Sequence, residues 1–231
     1  MRVRKIFLIG LGAGDPDHLT LQAAKAIGRT DVFFLLDDGE PRASLADLRE
    51  RIVRGYSKPS RRTVAGRSPA DSQAAERMLA EHLKEDETGS FLVWGDPTLY
   101  DLSPAILEEV LARGTVEFEY EVIPGISSVS ALAAKHRVPL NRFQVMTGRQ
   151  LAEGWPEGVD ELVVLHDEQQ AFAAHPDADI FWGAYVGTPD EILRSGRVSE
   201  VAGDIAKTRA DARTEHGWIL DTYLLRRPRA H

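Results

Sequence analysis

The sequence predicts an α/β protein made of two α/β domains, residues 1–140 and 141–231. Short apolar runs alternate with stretches whose apolar residues have helical spacing. Glycine-containing turns follow several of these runs. The alternation begins again after Pro139, where we place the domain boundary. The 231 residues are 43% hydrophobic, which is enough for a well-buried core.

Four strands and five helices are predicted in the first domain. The strands are the apolar or alternating runs Val3–Ile9, Val32–Leu36, Phe91–Trp94 and Val116–Val122. The helices, inferred from apolar residues that recur on one face, are Leu19–Gly28, Leu45–Ile52, Ala74–Leu83, Ile106–Leu111 and Ser127–His136. The polar stretch Gly55–Pro69, rich in Pro, Gly, Ser and Arg, is typical of a mobile loop.

Four more strands and two helices are predicted in the second domain. The strands are Phe143–Thr147, Leu162–Leu165, Ile180–Val186 and Trp218–Leu225. Thr188-Pro189-Asp190-Glu191 has the pattern of a capping box with proline at the first helical position, so it predicts a helix over Glu191–Gly196. A longer helix over Ser199–Glu215 is expected to end at Gly217.

The composition argues against several kinds of function. The chain has no cysteine, which rules out disulfides, thiolate metal sites and a cysteine nucleophile and fits a cytoplasmic location. No apolar stretch reaches 18 residues, so we expect neither a membrane span nor a membrane partner. The net charge of −8 argues against a nucleic-acid-binding protein.

The charge is unevenly distributed along the chain. The window Val122–Ala152 contains no Asp or Glu. Its basic residues are Lys135, His136, Arg137, Arg142 and Arg149. A local basic surface on an acidic protein predicts an anionic partner that is held at one place. The alternative is a chance cluster on a solvated face.

The first motif, Gly10-Leu11-Gly12-Ala13-Gly14-Asp15-Pro16, leaves a predicted strand and enters a helix. Its glycines let the backbone turn sharply and come close to a ligand, and Asp15 can cap the helix that follows. The motif is not a dinucleotide fingerprint, because the third glycine of that pattern would fall at Asp15. A carboxylate there would also repel a pyrophosphate. A tight turn without a ligand is the alternative.

Two further motifs follow predicted strands. Trp94–Asp101 contains a second Gly-Asp-Pro sequence, and Ile123–Ser128 is again a strand, a tight turn and a helix start. Open α/β sheets bind ligands at the carboxyl ends of their strands, so the three motifs together predict a binding site. Ser127 or Ser128 can also serve simply as a helix cap.

In this order and spacing, the three motifs resemble the tetrapyrrole methylase family, the class III S-adenosylmethionine-dependent methyltransferases. The resemblance implies that the two α/β domains of one chain enclose S-adenosylmethionine in the cleft between them, mostly through backbone groups. It also implies that the chain forms a homodimer. It also implies a small-molecule tetrapyrrole substrate and no metal, because the macrocycle supplies the electron-rich carbon. The stretches that resemble a branch of the aerobic cobalamin pathway are Gly10–Thr20, Phe91–Asp101, Phe118–Asn141, Trp182–Ser195 and Gly217–Pro228. That branch implies methylation of precorrin-5 at C-1 with release of acetate.

The resemblance also assigns site residues, position by position. The cofactor contacts that it implies are Gly12, Ala13, Gly95, Asp96, Leu99, Ser127, Ser128, His166 and Ala184. His166 is a departure, since the family leads us to expect an apolar residue there. Asp37 matches an aspartate after the second strand and can act as a base, or it can be a turn residue beside Gly39.

Removal of the acetyl group needs an activated water or an electrophilic clamp on the carbonyl. The candidates for these roles are Tyr100, Asp101, His136 and Arg149. Arg137, Arg142 and Arg149 are candidates to pair with the carboxylates of a precorrin. We expect these three arginines to form one anion-binding wall. Two connections, residues 55–72 and 142–146, are shorter than expected in the branch, which indicates either trimmed loops or missing segments.

Several alternatives stay open from the sequence. Within the family, the substrate can be methylated at another precorrin position, or it can be a protein of the diphthine type. An NAD(P)-dependent oxidoreductase would use Asp37 as its ribose-binding acid, but Asp15 and the second Gly-Asp-Pro motif argue against it. A carrier that holds a tetrapyrrole without chemical change is a third class.

Overall fold

The computed structural model describes residues 3–37, 43–67 and 71–228. The chain divides into two compact units, Met1–Ser127 and Ser128–His231. Each unit contains one five-stranded sheet with helices packed against it. The structure therefore confirms the expected α/β class. The position of an active site in a cleft stays a prediction.

The first unit is built on a parallel sheet. Its strands are β1 (Arg4–Gly10), β2 (Val32–Asp37), β3 (Arg62–Arg67), β4 (Thr88–Val93) and β5 (Phe118–Ile123). Their order in the sheet is β3-β2-β4-β1-β5, and each described pair is parallel. The carboxyl ends of all five strands therefore meet at one edge, which we call the first carboxyl edge.

In the described part of this unit, four α-helices cover the two faces of the sheet. They are α1 (Leu21–Arg29), α2 (Ala43–Tyr56), α3 (Ser72–His82) and α4 (Ser103–Arg113). Side chains of β1 alternate between the two layers: Ile6 and Leu8 pack with residues of α3 and α4, and Phe7 and Ile9 pack with residues of α1 and α2. Because both faces are buried from Ile6 onward, β1 is apolar from Ile6 to Gly10.

The second unit contains a mixed sheet. Its strands are β6 (Gln144–Thr147), β7 (Glu161–Leu165), β8 (Asp179–Ala184), β9 (Ile192–Arg197) and β10 (Asp221–Arg226). Their order is β6-β7-β10-β8-β9, in which β6 and β7 are parallel and the other pairs are antiparallel. The carboxyl ends of β6, β7 and β8 lie together with the start of β10. We call this the second carboxyl edge.

Three helices complete the second unit, α5 (Ser128–His136), α6 (Gly148–Glu153) and α7 (Val198–His216). Helix α5 contacts β8 and β10, and a Cβ at Gly183 would collide with Leu132 of α5. Side chains alternate along a strand, so Trp182 points to the opposite face, where α7 lies. The predicted boundary at 140/141 assigned α5 to the first domain. Its contacts with the second sheet correct that assignment.

Two local expectations were wrong. Residues 191–196, predicted as a helix, belong almost entirely to strand β9, which pairs antiparallel with β8. The Glu191 carboxylate accepts from the backbone N–H of Gly187 at 2.8 Å and closes the turn between the two strands. The predicted loop Gly55–Pro69 contains strand β3. This strand lies at the sheet edge, where most of its side chains are exposed, so pairing with β2 stabilises it without an apolar pattern.

Helix ends were predicted more accurately. Asp15 caps a short 3₁₀ helix, Pro16–His18, through its carboxylate and the backbone N–H of Asp17, with Pro16 at the first position. Helix α7 ends at Gly217, which has a left-handed backbone with φ of 75°. Both features depend only on neighbouring residues.

Candidate functional site

Backbone atoms of two loops pair at the first carboxyl edge. The N–H of Gly95 donates to the carbonyl of Gly12 at 2.7 Å, and the N–H of Gly12 donates to the carbonyl of Gly95 at 3.3 Å. Gly12 and Gly95 have φ of 89° and 73°, values in the left-handed region that favours glycine. The loops that follow β1 and β4 are therefore held together beyond the ends of their strands.

The loop after β5 packs directly against the other two. A Cβ at Gly125 would collide with the carbonyl oxygen of Gly95 and would lie 2.9 Å from the carbonyl carbon of Gly10. A Cβ at Gly10 would lie 2.6 Å from the amide nitrogen of Gly125. Three loops thus meet backbone against backbone, with no room for a side chain between them. Each of the three motifs follows a strand, as the sequence predicts, and a binding site there stays a prediction.

The polar side chains of the second loop are engaged locally. Oδ1 of Asp96 accepts from the backbone N–H of Thr98 at 2.8 Å and from its hydroxyl at 2.7 Å. Oδ1 of Asp101 accepts from the N–H of Ser103 at 2.7 Å, at the start of α4. Asp101 therefore fixes the turn that leads into α4. Tyr100 is half-exposed and has a left-handed backbone with φ of 58°.

The other candidates of the first unit are placed as follows. Ala13, Leu99 and Ser127 are all partly exposed in the three loops. Asp37 is the last residue of β2, at the same carboxyl edge, and its side chain lies outside the described part of the structure. Ser128 is the first residue of α5 and belongs to the second unit.

Two strained residues mark the second carboxyl edge. His166 directly follows β7 and is exposed, with φ of 52°, and Tyr185 directly follows β8, with φ of 51°. A left-handed backbone costs a non-glycine residue about 1–2 kcal/mol, and such strain clusters at functional sites. The hydroxyl of Tyr185 donates to the carbonyl of Trp218 at 2.6 Å, and burial raises the pKa of Tyr185 to about 12. Ala184, the last residue of β8, is buried beside it.

A buried polar network lies under this edge. The Asp167 carboxylate accepts from the hydroxyl of Tyr223 at 2.5 Å, and Arg209 donates to the Asp221 carboxylate at 2.7 Å. Trp182 donates its indole N–H to the same Asp221 oxygen at 2.7 Å. Burial is the largest cause of a raised pKa at Asp221, which the Arg209 guanidinium opposes. Sequence reasoning missed these residues.

The basic window is divided by the fold. Arg149 lies in the first turn of α6, at the second carboxyl edge, because Thr147 pairs with Leu165. Arg142 precedes β6, so it lies at the opposite end of that strand. A strand of this length spans about 13 Å. Arg137 follows α5, and none of the three arginines forms an ion pair with another described residue. Strand β6 therefore separates Arg142 from Arg149, and one wall of all three arginines stays a prediction.

His136 contacts strand β8. Its Nε2 lies 3.0 Å from the carbonyl oxygen of Trp182, and its ring packs edge-on against Phe181, at a centroid distance of 5.6 Å. Both contacts lie over the face of the second sheet rather than beyond its carboxyl edge. His136 therefore fastens α5 to β8.

Within residues 3–37, 43–67 and 71–228, no three His, Asp or Glu side chains group in a way that would hold a metal ion. Over the same ranges, every helix is too short or too polar to cross a membrane.

Comparison with known proteins identifies the family. The family model of tetrapyrrole (corrin/porphyrin) methylases matches residues 5–202. The chain belongs to that family. This confirms the resemblance inferred from the three motifs, and it identifies the chain as a methylase.

Individual relatives agree with this assignment. The chain is 45% identical to a precorrin-6A synthase [deacetylating] of Sinorhizobium sp, over 97% of this chain and 96% of the relative. That alignment spans 250 positions, more than the 231 residues here, so it has gaps on this side. The crystal structure of a putative cobalamin synthesis related protein (CobF) from Corynebacterium diphtheriae has a TM-score of 0.88 and 34% identity, covering 97% of this chain and 98% of that one.

A more distant structure supports the fold. Uroporphyrin-III C-methyl transferase from Thermus thermophilus, solved in complex with S-adenyl homocysteine, has a TM-score of 0.62 and 22% identity, with 96% of each chain covered. At this identity, the similarity concerns the fold.

Proposed function

We propose that this methylase transfers a methyl group from S-adenosylmethionine to C-1 of precorrin-5 and releases acetate, giving precorrin-6A. The observation that carries the proposal is the 45% identity to a precorrin-6A synthase [deacetylating] across nearly the full length of both chains. The structural similarity to CobF at a TM-score of 0.88 supports the same assignment.

The first carboxyl edge suits S-adenosylmethionine. Its sulfonium and amino groups are cationic, and backbone carbonyls together with the Asp96 carboxylate favour a cation more than a pyrophosphate. Gly12 and Gly95 pair with each other, and each of their carbonyl oxygens keeps a second lone pair for such a cation. The proposed contacts in this unit are Gly12, Ala13, Gly95, Asp96, Leu99 and Ser127. In the second unit we propose Ser128, His166 and Ala184.

The chain's contribution to methyl transfer is positioning. Bound S-adenosylmethionine supplies an electrophilic methyl group, whose carbon–sulfur bond breaks with the electron pair left on sulfur while a carbon–carbon bond forms to the macrocycle. An in-line displacement of this kind depends on the alignment and spacing of the reacting atoms. Rigid loops such as those of Gly10, Gly95 and Gly125 meet that requirement.

Acetate release is a separate step. Water adds to the acetyl carbonyl, the bond between acetyl and macrocycle breaks, and the macrocycle takes its electron pair. We propose Tyr100, half-exposed at the first carboxyl edge, as donor to the carbonyl oxygen, and Asp37 as base for the water proton. Asp101 and His136 are left out, because their described contacts are structural.

Arg149 is the arginine that we propose as a substrate contact. Its guanidinium is exposed at the second carboxyl edge and can pair bidentately with a carboxylate of the substrate. Arg149→Ala should raise the KM for the tetrapyrrole and leave cofactor affinity nearly unchanged, and the effect should shrink at high salt. Arg142→Ala, at the other end of β6, is the matched control and should change neither. Equal effects of the two substitutions would contradict the assignment.

Binding and turnover test the proposal in two steps. Calorimetric titration should give micromolar or tighter binding of S-adenosylhomocysteine and no binding of NADH. Ligand at about a hundredfold its dissociation constant should add roughly 2.7 kcal/mol to the free energy of unfolding. Incubation with S-adenosylmethionine and precorrin-5 should then release acetate and product in equal amounts. Stabilisation by NADH alone would support an oxidoreductase instead, and methylation without acetate would indicate another precorrin position.

We also propose that the chain works as a cytoplasmic homodimer. The absence of cysteine fits a reducing compartment. Light scattering coupled to size-exclusion chromatography should give twice the mass of the 25.6 kDa chain.

A further inference from the structure

The buried network of the second unit connects two strand ends through a single nitrogen. The Nη1 atom of Arg209 donates to the backbone carbonyl of Asp167 at 2.8 Å and to the carboxylate of Asp221 at 2.7 Å. Asp167 immediately follows His166 at the end of β7, and Asp221 pairs with Ala184 at the end of β8. Arg209 thus lies between the two strand ends that carry His166 and Ala184.

The turn after β7 needs such support. His166 and Gln170 both have left-handed backbones, with φ of 52° and 56°. The Asp167 carboxylate holds this turn by accepting from the backbone N–H groups of Gln169 at 3.0 Å and Ala171 at 2.7 Å. Strain of this kind persists only where the surrounding structure fixes it.

Close packing restricts the same carboxylate from the side of α6. A Cβ at Gly148 would collide with the Asp167 side chain, so only glycine allows the first turn of α6 to approach this closely. The side chains of Arg209 and Asp221 are only 8% and 6% exposed, so their contacts are shielded from solvent. These contacts leave the turn little freedom.

We propose that Arg209 is a positioning residue, which acts through Asp167 and Asp221 to fix the spacing of the two strand ends whose His166 and Ala184 contact the cofactor. The inference rests on the proposed function, since it takes these two residues as cofactor contacts. Neither Arg209 nor its two partners is assigned a role by the motifs.

Stability alone does not explain a buried ion pair. Replacing both members of such a pair by uncharged residues is often neutral for stability, whereas removing one member leaves an unpaired buried charge and is strongly destabilising. If the pair is purely structural, a variant without both charges should therefore match the unmodified chain in both stability and cofactor affinity. A positioning pair should regain stability without regaining cofactor affinity.

The experiment compares four variants with the unmodified chain by their melting temperature and their Kd for S-adenosylhomocysteine. Arg209→Met should lower the melting temperature and raise Kd at least tenfold. The double variant Arg209→Met with Asp221→Asn removes both charges of the pair and keeps an acceptor for the indole of Trp182. It should melt near the unmodified protein and still bind at least tenfold more weakly.

Two further variants serve as controls. Arg209→Lys should retain most of the affinity, because one ammonium nitrogen carries three donors and can make both bonds. Arg226→Met removes another arginine–carboxylate pair, with Glu161 at 2.8 Å, from the opposite end of β10. It should lower the melting temperature without changing Kd.

The outcomes separate the two proposals. If the double variant regains both stability and affinity, or if Arg226→Met weakens binding as much as Arg209→Met, Arg209 has no positioning role. If the unmodified chain does not bind S-adenosylhomocysteine at all, the proposed function fails, and this inference fails with it.

Discussion

The two carboxyl edges of this protein are built by different means. At the first edge, glycines of three loops bring backbone against backbone. At the second edge, non-glycine residues such as His166 and Tyr185 adopt left-handed backbones, and a side-chain network around Asp167 and Arg209 holds the turn. Loops can thus be shaped by omitting side chains or by fixing them. The first way leaves a sequence motif, and the second does not.

The largest effect expected from this comparison is at Gly125. The Cβ of Gly125→Ala would meet backbone atoms of Gly95 and Gly10, which cannot rotate away. We expect a loss of about 3 kcal/mol or more in the free energy of unfolding, measured by urea denaturation. The matched control is Gly203→Ala within α7, where an added Cβ has open space. It should stabilise the chain by about 0.5–1 kcal/mol. If the two variants were equally stable, the close backbone contact at Gly125 would be contradicted.

A glycine of the second edge should be less sensitive. The Cβ of Gly148→Ala would meet the side chain of Asp167 and would displace its carboxylate, whereas the nearest contacts of Gly125 are backbone atoms. We expect a loss of about 1–3 kcal/mol, together with weaker binding of S-adenosylhomocysteine, because the displaced carboxylate supports the turn at His166. Calorimetry and denaturation on one preparation check both. Unchanged binding would mean that Asp167 does not support the proposed cofactor contact at His166.

Removing one donor from the network should have a smaller effect. Tyr223→Phe deletes a hydroxyl that donates to the Asp167 carboxylate, for which we expect a loss of about 1.5–3 kcal/mol. Tyr185→Phe deletes a hydroxyl that donates to a neutral carbonyl, that of Trp218, and should cost about 1 kcal/mol. Urea denaturation of both variants gives the difference. The reverse order would contradict the greater strength that we assign to the Tyr223–Asp167 bond.

The smallest effect concerns a histidine away from both edges. Burial, and then the charge of Arg227, lower the pKa of His175 from its usual 6.5. The unfolded chain therefore binds this proton more readily, so the free energy of unfolding should fall as the pH falls below about 6.5. His175→Leu should flatten this dependence between pH 7 and 5 in thermal melts. A profile unchanged by the substitution would assign the dependence to other groups.

Local chemistry explains what could be predicted from the sequence. The three glycine motifs, the Asp15 cap, the end of α7 at Gly217 and the family all follow from residues that are near neighbours along the chain. Turn and cap geometry depends on such neighbours, so a single sequence shows it.

Strand pairing decided the rest, because it joins residues that are far apart in the sequence. Residues 191–196 have the local pattern of a helix, but pairing with β8 makes nearly all of them part of strand β9. The direction of β6 places Arg149 and Arg142 at its opposite ends. Strand pairing also brought Asp167, Arg209 and Asp221 into one buried network. Each of these residues is unremarkable in its own stretch of sequence. Their role depends on strand direction and register, which only the folded sheet fixes.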